Sequence, residues 1–517
     1  MRLRTRRRRA GLPEGWLAPD ADGPDPVVLG TLDGDARPTV DRRGTVHVDG
    51  SWHLDWWVGA ADGWLVPAQQ RLTAIGQRRI DGMPVVETSM RVPGGQAVHR
   101  TWCVRSGTAD WCVVEVENRS RDAVAVALAI RPTGGVGAIG FEGTIGSVDD
   151  RPVVFARRPA HAVTGSAAAG DAATVVLESA ATAAEPFAVS CPVGLANAAF
   201  VFPLAHTATL RIAVLVGGEG TVDLAALPDA DTVARGWRKH LDAAARVELP
   251  DPVLAAVVDA ARAAALLQPA PVCLAGLDRW GHHDAADVAF ASHTGPYSIG
   301  DAEAMARYAL LRGDGGVLDP HLVLLAKAAH EHGRERAGAA ATIAAALDLA
   351  DQPDAAAACR ALPPGTAPDR QRLDDLVATA SPVGTWASGS LERGAELLDL
   401  AGAALLGDGD HGVDLAPRWP SSWLGQAAEV HGLPSRWGRA SWAVRWHGAR
   451  PALLWEVAGP APQVRAPGLD PDWSRDEPTG EALLAAVEPP GGLPGVVRPL
   501  TTPGQAADEA EGGGEFS

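Results

Sequence analysis

The chain has few of the residues that mark several common classes of protein. Its 517 residues include only five cysteines, which are scattered, lack paired metal-ligand spacing and are too sparse for a disulfide framework. This distribution predicts a reduced, cytoplasmic protein. Long apolar runs are also missing: the nearest approach to the roughly 18 apolar residues of a membrane span is 253–267, which Asp259 and Arg262 interrupt. The sequence therefore predicts no membrane partner.

Positive charge is scarce as well. The chain has 45 Lys and Arg against 63 Asp and Glu, a formal net charge of −18. Such a balance argues against sequence-independent binding to nucleic acid or to an anionic membrane. The one basic run lies within residues 1–24, which we interpret as a flexible N-terminus. No phosphate-binding loop, dinucleotide fingerprint or nucleophile elbow is present, so no cofactor is predicted.

Tryptophan, by contrast, is plentiful, and six of the 17 lie between 418 and 456. In that segment Ala440, Trp442, Val444 and Trp446 alternate with more polar residues, which predicts a strand with one apolar face. A second strand is predicted at 451–456, after a turn at 447–448. Because an isolated hairpin is only marginally stable in water, we expect this segment to dock on the helical stretch at about 250–406.

The N-terminal half has a different pattern. Short apolar runs separated by Gly- and Pro-rich turns predict an antiparallel β-sandwich over 25–228. Within it, Trp52, Trp56 and Trp57 flank Asp55. That arrangement suits sugar binding, since rings stack on apolar sugar faces while a carboxylate accepts from hydroxyls, and it equally suits a core strand. Residues 175–177 are predicted to be a further strand.

Helical periodicity begins after the sandwich. A linker helix is predicted over 229–249, followed by about seven helices in a domain at 250–412 and by the Trp-rich β-segment at 413–460. The segment 278–301, between two of these helices, is predicted to be a polar and aromatic loop. Pro, Gly and acidic residues dominate 461–517, which we interpret as largely disordered.

Three sequence features carry a resemblance to a known superfamily. They are WRKHLD at 237–242 running into LPDP at 249–252, YSIGD at 297–301, and the closing series LAPRWPSSWLG, HGLPSRWG and VRWHG. Over about 25–458, their order resembles that of the bacterial α/α-toroid (six-hairpin) glycosidases, which include glucoamylase-like and debranching-type enzymes. The resemblance implies an N-terminal antiparallel β-sandwich, an α/α-toroid-like helical domain and a small C-terminal β-segment. With about seven helices, the toroid is expected to be shortened.

Glycoside hydrolysis usually needs two carboxylates across the scissile bond, and the resemblance suggests where to look. Asp301 matches by position the aspartate that holds sugar hydroxyls in the resembled enzymes, although it also suits a helix N-cap. Asp284 lies in the same polar segment. In those enzymes a comparable Trp lies just before a catalytic glutamate, whereas here the first carboxylate after Trp386 is Glu392, six residues further on. Asp301, Asp284 and Glu392 are therefore the predicted catalytic residues. The predicted substrate-binding residues are Trp280, His283, Tyr297, Trp386, Asp410 and His411.

The predicted function is that of a glycoside hydrolase-like protein of carbohydrate metabolism, acting on an α-linked oligosaccharide or glycoside by paired-carboxylate acid/base hydrolysis. An alternative is a non-catalytic relative that binds glycan or acts as an interaction scaffold, because no carboxylate stands between Trp386 and Glu392. A phosphorylase would need a cationic cluster, for which Arg279 with His282 and His283 is the candidate. No metal is predicted, since the histidines near Asp284 lack an i, i+4 pair.

Overall fold

A computed structural model describes residues 24–61, 63–133, 135–293, 298–336, 338–363, 365, 370–460 and 463–487. Within these ranges the chain forms an N-terminal pair of antiparallel sheets, a helical domain and a C-terminal pair of small sheets. The predicted fold class is confirmed. The predicted flexible terminus at 1–24 lies, except for its last residue, outside the described residues.

The N-terminal region is a β-sandwich whose strands differ widely in length. The strands are β1 (Val27–Val28), β2 (Thr39–Val40), β3 (Val46–His47), β4 (Trp52–Ala60), β5 (Gly63–Leu65), β6 (Ile75–Arg79), β7 (Val86–Val92), β8 (Gly95–Ser106), β9 (Ala109–Asn118), β10 (Val124–Pro132), β11 (Ala138–Glu142), β12 (Ile145–Val148), β13 (Arg151–Phe155), β14 (His161–Gly165), β15 (Phe187–Ser190), β16 (Asn197–Leu204) and β17 (Thr209–Gly217). One sheet has the order β1-β2-β3-β4-β10-β16-β14, with β5 beside β4; the other has the order β15-β11-β12-β13-β17-β9-β8-β7-β6.

Strand β4 is buried on both faces, which settles the role of its tryptophans. Trp52 and Trp56 are at most 2% exposed and belong to the core between the sheets, whereas Trp57 packs in a separate cluster under helix α1 (Ala172–Leu177). Burial would raise the pKa of Asp55, but His53 and Arg131 beside it lower it to about 2. These tryptophans are core residues with no ring face for a sugar.

Helix α1 corrects the prediction of a strand at 175–177. The side chain of Asp171 accepts a hydrogen bond from the backbone N–H of Ala173 and so caps the first turn. Strand propensity of the Val-Val-Leu run is overridden because the helix places Val176, fully buried, against the outer face of the first sheet.

The helical region begins with the linker helix and continues through a set of shorter helices. They are α2 (Ala230–Ala244), α3 (Pro252–Leu267), α4 (Leu274–Arg279), α5 (His283–Ala291), α6 (Ile299–Arg312), α7 (Leu322–His332), α8 (Ala339–Leu349), α9 (Pro353–Arg360), α10 (Arg370–Thr379) and α11 (Ser390–Leu405). Short 3-10 turns lie at Pro67–Gln69, Leu72–Ala74, Ile80–Gly82, Pro271–Cys273, Gly316–His321, Gly333–Glu335 and Ser421–Trp423. The predicted loop at 278–301 is wrong in part, because most of it forms α5 and the ends of α4 and α6.

The packing order of the helices defines the domain. Helix α11 lies against α3 and α4, α4 against α6, α6 against α8, and α8 against α9. Among the described residues the domain at 250–412 has nine helices, α3–α11, rather than about seven, and this is still fewer than the twelve of a complete toroid. Apolar residues of these helices merge with those of the linker helix and of the C-terminal sheets into one core.

The C-terminal region consists of two small sheets on the helical domain. Their strands are β18 (Arg246–Glu248), β19 (Leu406–Gly409), β20 (Gly412–Leu415), β21 (Ala428–Ser435), β22 (Gly438–His447), β23 (Arg450–Ala458), β24 (Val464–Ala466), β25 (Asp470–Arg475) and β26 (Thr479–Leu483). The orders are β18-β21-β22-β23-β26 and β19-β20-β24-β25. As expected, the hairpin β22–β23 docks on the helices: the indole of Trp442 donates to the carbonyl of Leu405 at 3.1 Å.

Residues 463–487 correct the prediction that the chain is largely disordered beyond 460. Strand β26 pairs with β23, and β24 and β25 complete the second small sheet, with Trp473 packed edge-to-face on Trp455 at 5.0 Å. The abundance of Pro, Gly and Asp hid short strands that are stabilised by pairing with distant residues. Residues 488–517 lie outside the described residues.

The sandwich also holds the start of helix α11. Gly389, the N-cap residue, has no capping side chain, and the carboxylate of Asp25 accepts from the backbone N–H of Ser390 at 2.9 Å instead. We expect Asp25→Ala to lower the free energy of unfolding by about 0.5–2 kcal/mol, the usual cost of losing a cap. Urea unfolding measures it. Asp25→Asn keeps an acceptor and should stay near wild type; equal losses in both variants would contradict the capping role.

Candidate functional site

The strongest candidate site is a charged cavity where the helical domain meets the hairpin β19–β20. Its volume is about 400 Å³. It is lined by residues of α4, α6, α8 and α11, of the hairpin and the following loop, and of the turn between β21 and β22. The charged lining residues are Arg279, Glu303, Arg307, Asp408, Asp410, Asp414, Arg418 and Arg436. Acidic and basic side chains are thus interspersed over one concave surface, a lining suited to a polar ligand.

At one wall of the cavity, two arginines and two carboxylates form an ion network. Arg279 Nε lies 2.5 Å from Asp399 Oδ1, and its Nη2 lies 3.8 Å from Glu303 Oε1. Arg336 pairs with both Glu303 and Asp399. Burial would raise the pKa of Asp399, but the two guanidinium groups hold it at about 2. The network therefore keeps Asp399 ionised at any physiological pH.

A second pair of contacts shapes the hairpin side of the cavity. Arg307 Nη1 donates to Asp408 Oδ1 at 2.6 Å, and the backbone N–H of Arg436 donates to Asp408 Oδ2 at 3.0 Å. Burial opposes ionisation of Asp408, yet Arg307 and this N–H lower its pKa. Both oxygens of this carboxylate are engaged, so Asp408 is an acceptor rather than a source of protons.

Asp410 is the accessible carboxylate of the cavity. Its side chain is 69% exposed and pairs with Arg436 Nη2 at 2.8 Å. Next to it, the half-buried Trp437 donates from its indole to the carbonyl of Gly409 at 3.0 Å, while the guanidinium of Arg436 lies 5.0 Å from the centroid of its ring. The tight turn of β19–β20 thus brings an exposed carboxylate, a guanidinium and an aromatic ring together.

The three predicted catalytic residues are not brought to this cavity. Arg312, the last residue of α6, donates to the backbone carbonyl of His283, so the start of α5 with Asp284 lies at the C-terminal end of α6. Asp301 lies in the first turn of α6, about 16 Å away along the helix axis at 1.5 Å per residue. Paired carboxylates act at about 5–9.5 Å, a spacing that this arrangement does not provide. Glu392 is exposed in the first turn of α11.

Asp301 has a defined structural role. Ser298 is the N-cap of α6, and Asp301 is the third residue of the helix. The hydroxyl of Ser298 accepts from the backbone N–H of Asp301, and the carboxylate of Asp301 accepts from the backbone N–H and the hydroxyl of Ser298. This reciprocal pair is a capping box. The alternative interpretation of Asp301 as a helix N-cap therefore located the start of α6 correctly, but the N-cap residue itself is Ser298, three residues earlier.

Two of the predicted substrate-binding residues belong to the core instead. Trp280 is fully buried, donates to the carbonyl of Leu398 at 2.9 Å and lies under the guanidinium of Arg262. Trp386 is 1% exposed and donates to the carbonyl of Leu376 at 2.9 Å. Neither ring presents a face to a ligand, and this corrects the substrate-binding role predicted for them.

The remaining predicted binding residues are divided between locations. Asp410 lines the charged cavity, and His411 at the same turn contacts Asp414, a lining residue, at 3.1 Å. His283 is about half exposed at the start of α5, 3.7 Å from Asp278. Tyr297 lies outside the described residues.

Sequence reasoning missed Arg307, Arg336, Asp399 and Arg436, although one signal was available. Asp399 interrupts the apolar run at 397–401 of a helix, and a carboxylate in such a run must be paired when it is buried.

Over the described ranges, no group of three or more His, Cys, Asp or Glu side chains is placed to hold a metal ion. In the same ranges, no helix combines the length and apolarity needed to cross a membrane.

Comparisons with known proteins found a similar solved structure but no similar family or curated sequence. No protein-family model matches the chain, and no curated protein matches it. Among solved structures, it is similar to a bacterial glucoamylase in complex with acarbose, with a TM-score of 0.44 and 7% sequence identity over 66% of this chain and 68% of that one. This is a distant structural likeness.

Proposed function

We propose that the chain binds an α-linked oligosaccharide or glycoside in the charged cavity and does not hydrolyse it. The observation that carries this proposal is the grouping of exposed Asp410 with Arg436 and the partly exposed ring of Trp437. A carboxylate and a guanidinium supply the acceptors and donors that sugar hydroxyls need, and the face of an aromatic ring can stack on the apolar face of a sugar ring.

Binding is favoured over hydrolysis by the state of the carboxylates. A glycosidase needs a carboxylic acid whose pKa is raised enough to protonate the leaving oxygen. The pKa values of Asp408, which lines the cavity, and of Asp399, which pairs with the lining residue Arg279, are instead lowered by neighbouring arginines. Such carboxylates stay ionised and accept hydrogen bonds, which suits recognition of hydroxyl groups. The catalytic assignment of Asp284, Asp301 and Glu392 stays a prediction, and the same experiment tests it.

Titration calorimetry with maltose, trehalose and longer α-glucans, beside a reducing-sugar assay, tests the proposal. We expect binding without release of reducing ends. Asp410→Asn should weaken binding about tenfold or more, because a hydrogen bond to a charged group contributes about 1.5–3 kcal/mol. Asp284→Asn is the matched control: Asp284 is also an exposed aspartate but lies outside the cavity, and its replacement should leave the affinity unchanged.

Other outcomes assign the function differently. Turnover that disappears in Asp301→Asn would favour the glycosidase and the catalytic residues predicted from the sequence. Binding that is lost equally in Asp410→Asn and Asp284→Asn would remove the charged cavity as the site. Absence of binding to every glucan would overturn the proposal.

A further inference from the structure

Two cysteines face each other across neighbouring strands in the sandwich. Cys103 of β8 is the direct partner of Cys112 of β9. Both are free and buried, at 3% and 0% exposure, in the core between the two sheets. The other cysteines lie in different elements: Cys191 follows β15, Cys273 is in a 3-10 turn and Cys359 is in α9.

The hairpin register fixes how close the two side chains are. The β8–β9 pairing runs without a bulge to the closing pair Ser106–Ala109, with a two-residue turn at Gly107–Thr108. In a two-residue hairpin the closing pair is hydrogen-bonded, and hydrogen-bonded and non-hydrogen-bonded pairs then alternate. Counting back three pairs from the turn makes Cys103–Cys112 a non-hydrogen-bonded pair.

That class of pair suits a covalent link. Its Cα atoms are about 4.5 Å apart and its side chains leave the same face of the sheet. Disulfides span Cα separations of about 4.4–6.8 Å, so the bond fits without moving either strand. We propose that Cys103 and Cys112 form an intrachain disulfide across β8 and β9 when the folded protein meets a peroxide.

Hydrogen peroxide is the oxidant that accepts the two electrons released when the disulfide forms. One thiolate attacks a peroxide oxygen, the O–O bond breaks, and hydrogen peroxide yields a sulfenic acid and, after proton transfer, water. The second sulfur then attacks the sulfenic sulfur, the S–O bond breaks, the S–S bond forms, and a second water leaves. Two thiols are oxidised and one peroxide is reduced. The neighbouring thiol supplies the second step, so the sulfenic acid is not left to oxidise further.

Access to the buried pair depends on the hairpin. The turn at Gly107–Thr108 is only four residues from Cys103, so local opening from this end exposes both thiols together. The neighbouring thiol of Cys112 and burial raise the pKa of Cys103 well above its usual value. Since the thiolate is the nucleophile, the reaction should be slow at neutral pH and faster as the pH rises towards 9.

Peptide mapping of the full chain tests the proposal. The folded protein is treated with hydrogen peroxide, then denatured, alkylated with N-ethylmaleimide and digested with trypsin. Arg105 separates the two cysteines, so a disulfide joins peptide 101–105 to peptide 106–119. We expect this linked species, lighter by two hydrogen atoms than the sum of its parts, while Cys191, Cys273 and Cys359 remain alkylated.

Serine variants show which cysteines form the link. Cys103→Ser and Cys112→Ser should each abolish the linked species, whereas Cys359→Ser should leave its yield unchanged. The oxidised protein should also unfold at a higher urea concentration than the reduced one, because the link restricts the unfolded chain. Recovery of both cysteines as alkylated thiols after prolonged oxidation would overturn the proposal. So would sulfinic acid at Cys103, since it would mean that Cys112 fails to resolve the sulfenic acid.

Discussion

Replacing Asp399 with alanine is expected to lower the free energy of unfolding by about 3–5 kcal/mol, the usual cost of removing one partner from a buried ion pair. Asp399 is 7% exposed and neutralises both Arg279 and Arg336 at the wall of the charged cavity. Without it, Glu303 is left as the carboxylate that both guanidinium groups contact. The loss comes from the positive charge left buried, rather than from the missing attraction alone.

Urea unfolding followed by circular dichroism measures this effect, and helix α11 offers a matched control. Glu396, three residues before Asp399, also pairs with an arginine, but both side chains of the Glu396–Arg372 pair are more than a third exposed. Exposed pairs contribute about 0–1 kcal/mol, so Glu396→Ala should be nearly neutral. Equal losses in the two variants would show that the network around Asp399 is not a buried one.

Local sequence signals predicted those parts of the fold that local interactions determine. Alternation at 440–446 placed β22 correctly because its period of two follows directly from strand geometry. The start of α6 was predicted to within three residues for a similar reason: Ser298 and Asp301 cap this helix reciprocally within one turn. Such contacts join residues that are neighbours in the chain, and the sequence displays them.

The cavity could not be predicted in the same way. Its ion network joins α4, α6, the turn before α8 and α11, and the Arg279–Asp399 contact spans 120 residues. Which charged residues meet therefore depends on helix packing, which the sequence pattern does not give. Trp280 and Trp386 show the converse error: a tryptophan in a polar segment suggests a ligand surface, but its exposure depends on tertiary packing, as in the contact of Trp280 with Leu398, 118 residues away.

Acid is expected to destabilise the sandwich through His99 at a pH where most carboxylates remain ionised. His99 is 1% exposed and stacks on Trp56 at 5.2 Å between ring centroids. Burial lowers its pKa to about 3 from a usual 6.5. Because the folded protein holds His99 neutral while the unfolded chain binds a proton below pH 6.5, its contribution is complete above pH 6.5 and declines as the pH falls from 6.5 towards 3.

The expected loss is about 1.4 kcal/mol per pH unit for one proton, hence about 2 kcal/mol between pH 7 and pH 5. His282, whose pKa burial also lowers, adds a loss of the same sign in the helical domain. The free energy of unfolding, measured in urea between pH 5.0 and pH 7.0, should therefore increase with pH. His99→Gln should reduce this slope by the contribution of one proton, whatever the variant does to stability at pH 7. Replacing the exposed His447 with glutamine should leave the slope unchanged. An unaltered slope in His99→Gln would mean that His99 accepts a proton in the folded sandwich, which requires water to reach the ring beside Trp56.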